Sequence, residues 1–166
     1  MALVELYLVR HGLAGDADPS RDDRMRPLTR AGIRRTRAVA KRLRALGLHF
    51  DELLSSPLRR ARQTADLLHS VGLCARPTES KYLAPGGDFD AWVRWLKRWR
   101  RHGHARLALV GHMPDLGEWA ERLVVGEVRQ RWVLKKAGVL GLTLPAAGTP
   151  VGRCSLFLLV PPRYLV

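Results

Sequence analysis

Two apolar runs in this chain end in the same way, each at a polar loop that carries a histidine. Residues 3–9 (LVELYLV) run into Arg10 and His11, and residues 106–110 (RLALV) run into the loop that holds His112. A predicted helix follows each loop. Strand, loop and helix in this order build parallel α/β sheets, and ligand sites lie at the carboxyl ends of such strands. The two histidines are therefore predicted at the same edge of one sheet.

Helix start and stop residues continue this alternation through the first half of the chain. Thr29 is predicted to cap the N-terminus of a first helix, which Gly47 closes. The short run of residues 52–55 (ELLS) predicts a second strand, with Ser56 as the N-cap of the following helix and Pro57 at its first helical position. The pattern is that of consecutive strand and helix units.

The second half of the chain ends in a different pattern. A short extended piece is predicted near residues 75–78, Asp88 opens a third helix, and a fourth helix covers residues 114–125. Residues 139–144 and 155–160 have the pattern of a hairpin. We therefore expect an α/β three-layer sandwich with a mainly parallel central sheet, helices on both faces and a C-terminal hairpin. We expect one domain over all 166 residues.

The chain is strongly basic, with 29 Lys and Arg against 15 Asp and Glu and a formal net charge of +14 at pH 7. Such a charge favours anionic partners but does not separate nucleic acid, phosphoprotein, polyphosphate and phosphorylated metabolites. We interpret the basic stripe of the first helix as a solvated face. Its basic residues recur at helical spacing opposite apolar ones: Arg30, Arg34, Arg37, Lys41 and Arg44 against Ile33, Ala40, Leu43 and Leu46.

Hydropathy and cysteine usage predict a cytoplasmic protein with no membrane partner. No stretch approaches the roughly 20 apolar residues of a membrane span, and residues 3–9 are too few for a signal sequence. Cys74 and Cys154 lie far apart and outside any CxxC pattern, so neither a disulfide framework nor a cysteine metal site is expected.

Candidate catalytic side chains follow the predicted strand ends: Arg10, His11, Arg59, Arg60 and His112. A neutral imidazole can attack phosphorus when one ring nitrogen donates a hydrogen bond and the other is free. Guanidinium groups match the oxygens of a phosphoryl group in transfer and stay charged. Arginines and a second histidine can thus replace a metal ion. With no HExxH, CxxC or Walker A pattern, no metal or cofactor is expected.

Several segments together resemble the histidine phosphatase superfamily, which includes the phosphoglycerate mutases, and within it the SixA-type phosphohistidine phosphatases. The resemblance spans nearly the whole chain, and the segments that carry it are LVRHG (8–12), RPLTRAG (26–32), LLSSPLRRARQTA (53–65), LAPGGD (83–88), LALVGHMPDLG (107–117) and the final PPRYL.

The resemblance implies a role for each candidate residue. His11 would become phosphorylated, Arg10 and Arg60 would hold the phosphoryl oxygens, and His112 would complete the pocket. Arg60 is preferred to Arg59 because the family's arginine directly precedes the alanine of this segment. Arg59 is the alternative. Arg26 resembles a further phosphate ligand of the SixA-type group.

One position departs from the superfamily pattern. Many members use a carboxylic acid after the second helix as proton donor, and here Pro85 stands near that place while Glu79 is displaced from it. A phosphohistidine needs such an acid less, since its ring nitrogen takes a proton near the ordinary histidine pKa of about 6.5. Asp16 and Asp18 remain alternative proton donors. The departure favours a phosphohistidine substrate.

The loop before the first helix is rich in acidic residues. Its four aspartates could chelate a cation, but we expect solvation and pairing with Arg21 and Arg24 instead, and helix capping is a further alternative: Asp16, Asp18, Asp22 and Asp23.

Three functions stay open on the sequence. The short connection over residues 65–88 leaves little room for a lid, so an open pocket that admits a phosphorylated protein, such as a phosphotransfer domain, is preferred. The alternative is a phosphomonoesterase for a small metabolite such as a sugar phosphate or nucleotide. A third possibility is a non-catalytic module that binds polyanions, although no nucleic-acid motif supports it.

Overall fold

The computed structural model describes residues 3–166. The strands of this part are β1 (Glu5–Arg10), β2 (Glu52–Ser55), β3 (Thr78–Glu79), β4 (Arg106–Gly111), β5 (Val139–Thr143) and β6 (Ser155–Val160). The α-helices are α1 (Arg30–Ala45), α2 (Arg59–Ser70), α3 (Phe89–Trp99) and α4 (Asp115–Val125). Within residues 3–166, no helix is both long enough and apolar enough to span a bilayer.

The strands form one six-stranded sheet in the order β3-β2-β4-β1-β5-β6. β1, β2, β3 and β4 run parallel to one another, whereas β5 and β6 pair antiparallel at one edge. The predicted α/β class, with its mainly parallel sheet and C-terminal hairpin, is confirmed. The extended piece predicted near residues 75–78 becomes the two-residue β3, slightly later in the chain.

Neighbouring positions in the sheet bring together the two strands that precede the histidines. β4 inserts between β1 and β2, and Arg10 pairs in register with Gly111. The backbone N–H of His11 continues the ladder and donates to the carbonyl of Gly111 at 3.0 Å. His11 and His112 therefore leave the sheet side by side at its carboxyl edge, as predicted.

Alternating residues of β1 point to two separate apolar cores. Leu6 and Leu8 pack in a cluster with side chains of α3 and α4, while Tyr7 and Val9 pack with side chains of α1 and α2. This period of two residues places one helix pair on each face of the sheet. The result is the expected three-layer arrangement.

The cysteines are free and buried, on opposite faces of the sheet. Cys154 belongs to the α3 and α4 side and Cys74 to the α1 and α2 side. Burial raises the pKa of both thiols to about 11, so both are protonated at neutral pH. The two side chains act as small apolar groups of the cores.

The basic face of α1 is solvated, as expected from its spacing. Leu46, predicted on the apolar face, is exposed because it lies beyond the last helical turn as the C-cap. Gly47 then adopts φ of 83°, which suits glycine at a helix end. All five predicted basic residues are exposed: Arg30, Arg34, Arg37, Lys41 and Arg44.

Helix starts agree with the sequence pattern at two places and differ at a third. Thr29 and Asp88 cap α1 and α3 with their side chains. The prediction that Ser56 caps α2 is wrong, because the helix begins at Arg59 with Leu58 as its N-cap. The Ser56 hydroxyl instead accepts from the Leu58 amide at 3.2 Å and also pairs with His112.

Candidate active site

The ring of His11 is held in one tautomer by its own loop. Its Nδ1 lies 2.7 Å from the carbonyl oxygen of Gly12. Because a carbonyl oxygen can only accept a hydrogen bond, Nδ1 carries the proton and donates it. The lone pair of Nε2 is therefore free. This is the arrangement that a histidine nucleophile requires.

The loop after His11 is fixed by contacts with α1 and α2. The Gly12 amide donates to Oγ1 of Thr64 at 3.0 Å, and that hydroxyl donates to the Arg60 carbonyl at 2.8 Å. A Cβ at position 12 would overlap Oγ1 of Thr36, so only glycine fits. The glycine is needed for packing against α1. Thr64, which sequence reasoning did not single out, ties the nucleophile loop to the helix that carries Arg60.

His112 faces His11 across the end of the sheet. The two rings have a centroid separation of 5.2 Å. Nε2 of His112 and Oγ of Ser56 share a hydrogen bond of 2.7 Å. When the hydroxyl donates, the ring proton resides on Nδ1, which is buried and has no protein partner in the described part of the chain. That N–H is available to an oxygen of a bound anion.

Both histidines are neutral at neutral pH. Burial is the main cause that lowers the pKa of His11 to about 3; the Gly12 carbonyl opposes this, and His112, Arg60 and Arg10 add to it. Burial, and then the charge of Arg60, lowers the pKa of His112 to about 4. A neutral imidazole can act as a nucleophile, whereas a protonated one cannot. The environment therefore keeps His11 reactive.

Arg10 and Arg60 are each held by a carbonyl and keep one nitrogen free. Nη1 of Arg10 donates to the Leu134 carbonyl at 3.0 Å, and Nη1 of Arg60 donates to the Asp23 carbonyl at 2.9 Å. The Nε of each arginine is buried without a partner. Burial lowers the pKa of both guanidinium groups, yet arginine stays charged in proteins. The site thus has two partly unsatisfied cations.

Unpaired buried donors are concentrated around His11. Residues 3–166 contain five buried side-chain N or O atoms without a hydrogen-bond partner, and three belong to predicted site residues: Nε of Arg10, Nε of Arg60 and Nδ1 of His112. Each unpaired buried polar group costs about 1–3 kcal/mol. The charges of Arg10 and Arg60 also act on His11, so these donors surround a place that suits an oxyanion such as a phosphoryl group.

Asp23 joins two of the predicted phosphate ligands. Its Oδ1 accepts from Nε of Arg26 at 2.8 Å, and its Oδ2 accepts from Nη2 of Arg60 at 3.2 Å. Of the pairing expected for the four aspartates, Asp18 pairs with Arg21 at 3.7 Å. Asp23 pairs with neither Arg21 nor Arg24, because the short helical turn over Asp23–Met25 directs its carboxylate to Arg60 and Arg26. In the sequence, the spacing of three residues between Asp23 and Arg26 is the one local feature that indicates this ion pair.

Four other candidates lie outside this cluster. Arg59 is exposed, with Nη1 3.5 Å from the Met25 carbonyl. Glu79, on β3, pairs with Arg62 at 3.4 Å. Asp16 and Asp18 are exposed on the loop before α1. Among the described residues no carboxylate hydrogen-bonds to either histidine, and no group of three His, Cys, Asp or Glu could hold a metal ion.

A buried carboxylate supports the segment that holds Arg10. Glu121 of α4 is 1% exposed and accepts from the backbone amides of Arg129, Arg131 and Trp132, the last two at 2.9 and 3.3 Å. Burial raises its pKa, but these donors outweigh burial and hold the pKa below its usual value. The anchored segment leads directly to Leu134, whose carbonyl binds Arg10. The only sequence signal was an acidic residue in the helix turn that carries Ala120 and Leu123.

Comparison with known proteins places this geometry in a family. The family model of the histidine phosphatase superfamily (branch 1) matches residues 6–80. Phosphohistidine phosphatase SixA of Escherichia coli is 28% identical over 149 residues, which cover 87% of this chain and 88% of that protein. The chain belongs to the histidine phosphatase superfamily and is a phosphatase.

Within the superfamily the chain is similar to SixA in sequence and in fold. A solved structure of the protein histidine phosphatase SixA complexed with tungstate has a TM-score of 0.85 and 24% identity, with 98% of this chain and 100% of that chain covered. An uncharacterised protein of Picosynechococcus sp. is 47% identical over 164 residues, 98% of this chain and 99% of that protein.

Proposed function

We propose that this phosphatase removes the phosphoryl group from phosphohistidine on a protein, through a covalent phosphohistidine at His11. The observation that carries the proposal is the pairing of Nδ1 of His11 with the Gly12 carbonyl. This leaves a neutral Nε2 beside the unpaired donors of Arg10, Arg60 and His112. A nucleophile and an oxyanion cradle in one place support phosphoryl transfer.

In the first step, Nε2 of His11 attacks phosphorus and forms a new N–P bond. The N–P bond of the substrate breaks, and its electron pair goes to the leaving imidazole, which takes a proton from solvent. Arg10, Arg60 and Nδ1–H of His112 donate to the phosphoryl oxygens, where charge is spread in the transition state. The Gly12 carbonyl keeps the attacking ring in orientation.

In the second step, water attacks the phosphorus of the phosphorylated His11. The bond between phosphorus and Nε2 breaks, and the electron pair returns to the ring. The water oxygen stays on the inorganic phosphate, and one proton of the water returns to solvent, which balances the proton taken up in the first step. The released ring is again neutral, since burial keeps the pKa of His11 at about 3. The net reaction consumes one water and one phosphohistidine and yields histidine and phosphate.

The proton inventory of the site supports phosphohistidine over alkyl phosphate esters. Asp23 is the carboxylate whose charge reaches His112. Its hydrogen bond with Arg26 is the main cause that holds its pKa below the usual value, so Asp23 is ionised and a poor proton donor. An alkoxide leaving group needs such a donor, whereas an imidazole protonates near pH about 6.5. The SixA relative is named a phosphohistidine phosphatase, and tungstate, bound in the SixA structure, is a tetrahedral oxyanion like phosphate.

The test is turnover with intact protein mass. Wild type and His11→Ala are assayed without metal on a chemically phosphorylated phosphotransfer domain and on p-nitrophenyl phosphate. We expect a phosphoryl adduct in wild type only, and a larger kcat/KM for the protein. Undiminished activity of His11→Ala would overturn the covalent mechanism. Turnover of small esters alone would assign the metabolite phosphatase instead.

A further inference from the structure

A groove with a basic rim opens beside the site. It has a volume of about 630 Å³ and lies between α1, the segment over residues 133–137 and the C-terminal residues after β6. Arg10 lines one end of it. Four more basic side chains line it and no Asp or Glu does: Arg35, Lys135, Lys136 and Arg163.

These four cations have no acidic partner in the described part of the chain. None of them has a carboxylate oxygen within 4.0 Å, although six ion pairs form elsewhere. The groove is therefore a region of uncompensated positive charge, complementary to an acidic partner.

The apolar lining of the groove favours a protein over other anions. Leu13, Val133 and Leu159 line it and are 43%, 59% and 40% exposed. Aliphatic side chains exposed together gain by burial against apolar side chains of a partner, which a small phosphorylated metabolite lacks. No aromatic side chain lines the groove, so it offers no stacking platform for single-stranded nucleic acid bases.

The groove is continuous with the catalytic residues. Its Leu134 accepts from Nη1 of Arg10 through the backbone carbonyl. The Ala137 amide, on the same wall, donates to the carbonyls of Arg10 and His11 at 3.1 and 3.2 Å. A segment seated in the groove therefore lies beside Arg10 and close to the backbone of His11.

We propose that this groove docks the phosphohistidine-bearing protein, through an amphipathic segment whose apolar side chains meet Leu13, Val133 and Leu159 while its acidic side chains meet the basic rim. The inference rests on the proposed function and adds to it the surface that selects the substrate. Docking lowers KM for the protein substrate and has no counterpart for a small ester.

The experiment reverses charge at Arg35 and Arg163 together (R35E with R163E). The matched control is R94E with K97E, which changes net charge equally in a second basic groove beside Val4 and His104, at the opposite end of the strands. Each variant is assayed on an acidic phosphotransfer domain phosphorylated on histidine and on p-nitrophenyl phosphate. Thermal unfolding by circular dichroism checks that both variants fold.

We expect the groove variant to lose at least about tenfold in kcat/KM for the phosphoprotein relative to p-nitrophenyl phosphate, mainly through KM, and the control to lose less than about twofold. Equal losses in both variants would show general electrostatic steering and overturn the groove. No loss in either would overturn it as well.

Two further outcomes separate the inference from its basis. Wild type that turns over p-nitrophenyl phosphate but not the phosphorylated domain would overturn the proposed function itself. A single-stranded oligonucleotide is tested for binding as well. If it binds wild type but not the double variant R35E/R163E, and that variant turns over the phosphoprotein as wild type does, the groove is a nucleic-acid site and the docking proposal fails.

Discussion

Nε2 of His112 lies 2.7 Å from Oγ of Ser56, so the second histidine of the site is oriented by a serine in the loop between β2 and α2. The serine comes directly after β2, which lies beside β4 in the sheet. Its hydroxyl also accepts from the Leu58 amide, which fixes the oxygen in place. The pair joins two strand ends into one rigid site.

We expect Ser56→Ala to lower kcat by roughly tenfold with a smaller change in KM, because His112 would lose the partner that sets its tautomer and ring orientation. Steady-state kinetics on p-nitrophenyl phosphate measures this change. Ser55→Ala is the matched control, since the buried Ser55 hydroxyl bonds only the Ser56 carbonyl. Equal effects of the two substitutions would contradict the assigned role.

Two adjacent arginines allow a direct test of register. We expect Arg60→Ala to reduce kcat/KM by about 100-fold or more, because it removes a buried donor to the transferred phosphoryl group. Arg59→Ala should change kcat/KM by less than about threefold, since an exposed side chain away from the chemistry has little effect. A larger loss in Arg59→Ala than in Arg60→Ala would reverse the assignment.

Asp23 is expected to position arginines and not to donate a proton. Asp23→Asn should lower kcat/KM for p-nitrophenyl phosphate and for a phosphohistidine substrate by similar factors, on the order of tenfold, because the neutral amide has one acceptor oxygen where Arg60 and Arg26 each use one of two. If Asp23 were a proton donor, its loss would slow an alkyl ester more than p-nitrophenyl phosphate, because an alkoxide leaving group needs a proton more than nitrophenolate does. Selective loss of alkyl ester hydrolysis would therefore identify Asp23 as the acid.

Removal of the Glu121 carboxylate should weaken both stability and the site. We expect Glu121→Ala to lower the free energy of unfolding by about 1–3 kcal/mol, because backbone donors lose their acceptor. It should also lower kcat, since the segment that binds Arg10 loosens. Urea unfolding and kinetics measure both effects. Glu118→Ala is the control, because its side chain contacts only Nε2 of Gln130, at 3.4 Å.

Stability should fall as pH falls below the ordinary histidine pKa. The folded protein keeps His11 and His112 neutral, with pKa values of about 3 and about 4. The unfolded chain protonates both near pH about 6.5, so it binds more protons than the folded chain below that pH. Stability is therefore complete above this pH and is lost toward lower pH.

The slope of this loss can be measured by urea unfolding between pH about 5 and about 7. Each histidine contributes up to about 1.4 kcal/mol per pH unit. His11→Gln and His112→Gln should each remove part of the slope. A slope unchanged in both site variants would show that these rings are not held neutral.

The sequence predicted the residues whose place follows from a strand end. Arg10, His11 and His112 each come directly after an apolar run, and the carboxyl ends of parallel strands meet at one edge. The helix caps at Thr29 and Asp88 were equally predictable, since the cap and the helix it caps are neighbours along the chain.

The supporting residues could not be predicted in this way, because their partners are distant along the chain. Ser56 satisfies the local pattern of a helix cap, but its hydroxyl pairs with His112 in the folded protein. Thr64 reaches Gly12, and Asp23 reaches Arg60, only after α2 packs beside the nucleophile loop. Such contacts depend on tertiary packing, which no local rule contains.

Because β4 lies between β1 and β2, the proposed site is complete only when a strand from the second half of the chain has joined the sheet. A chain that has been synthesised only as far as α3 already contains His11, Arg10 and Arg60, yet it lacks the strand that completes the site. We therefore expect a nascent or truncated chain of this length to have no phosphatase activity. On the proposed assignment, activity needs both β4 and the later segment whose Leu134 carbonyl holds Arg10, so we expect turnover to report that most of the chain has folded.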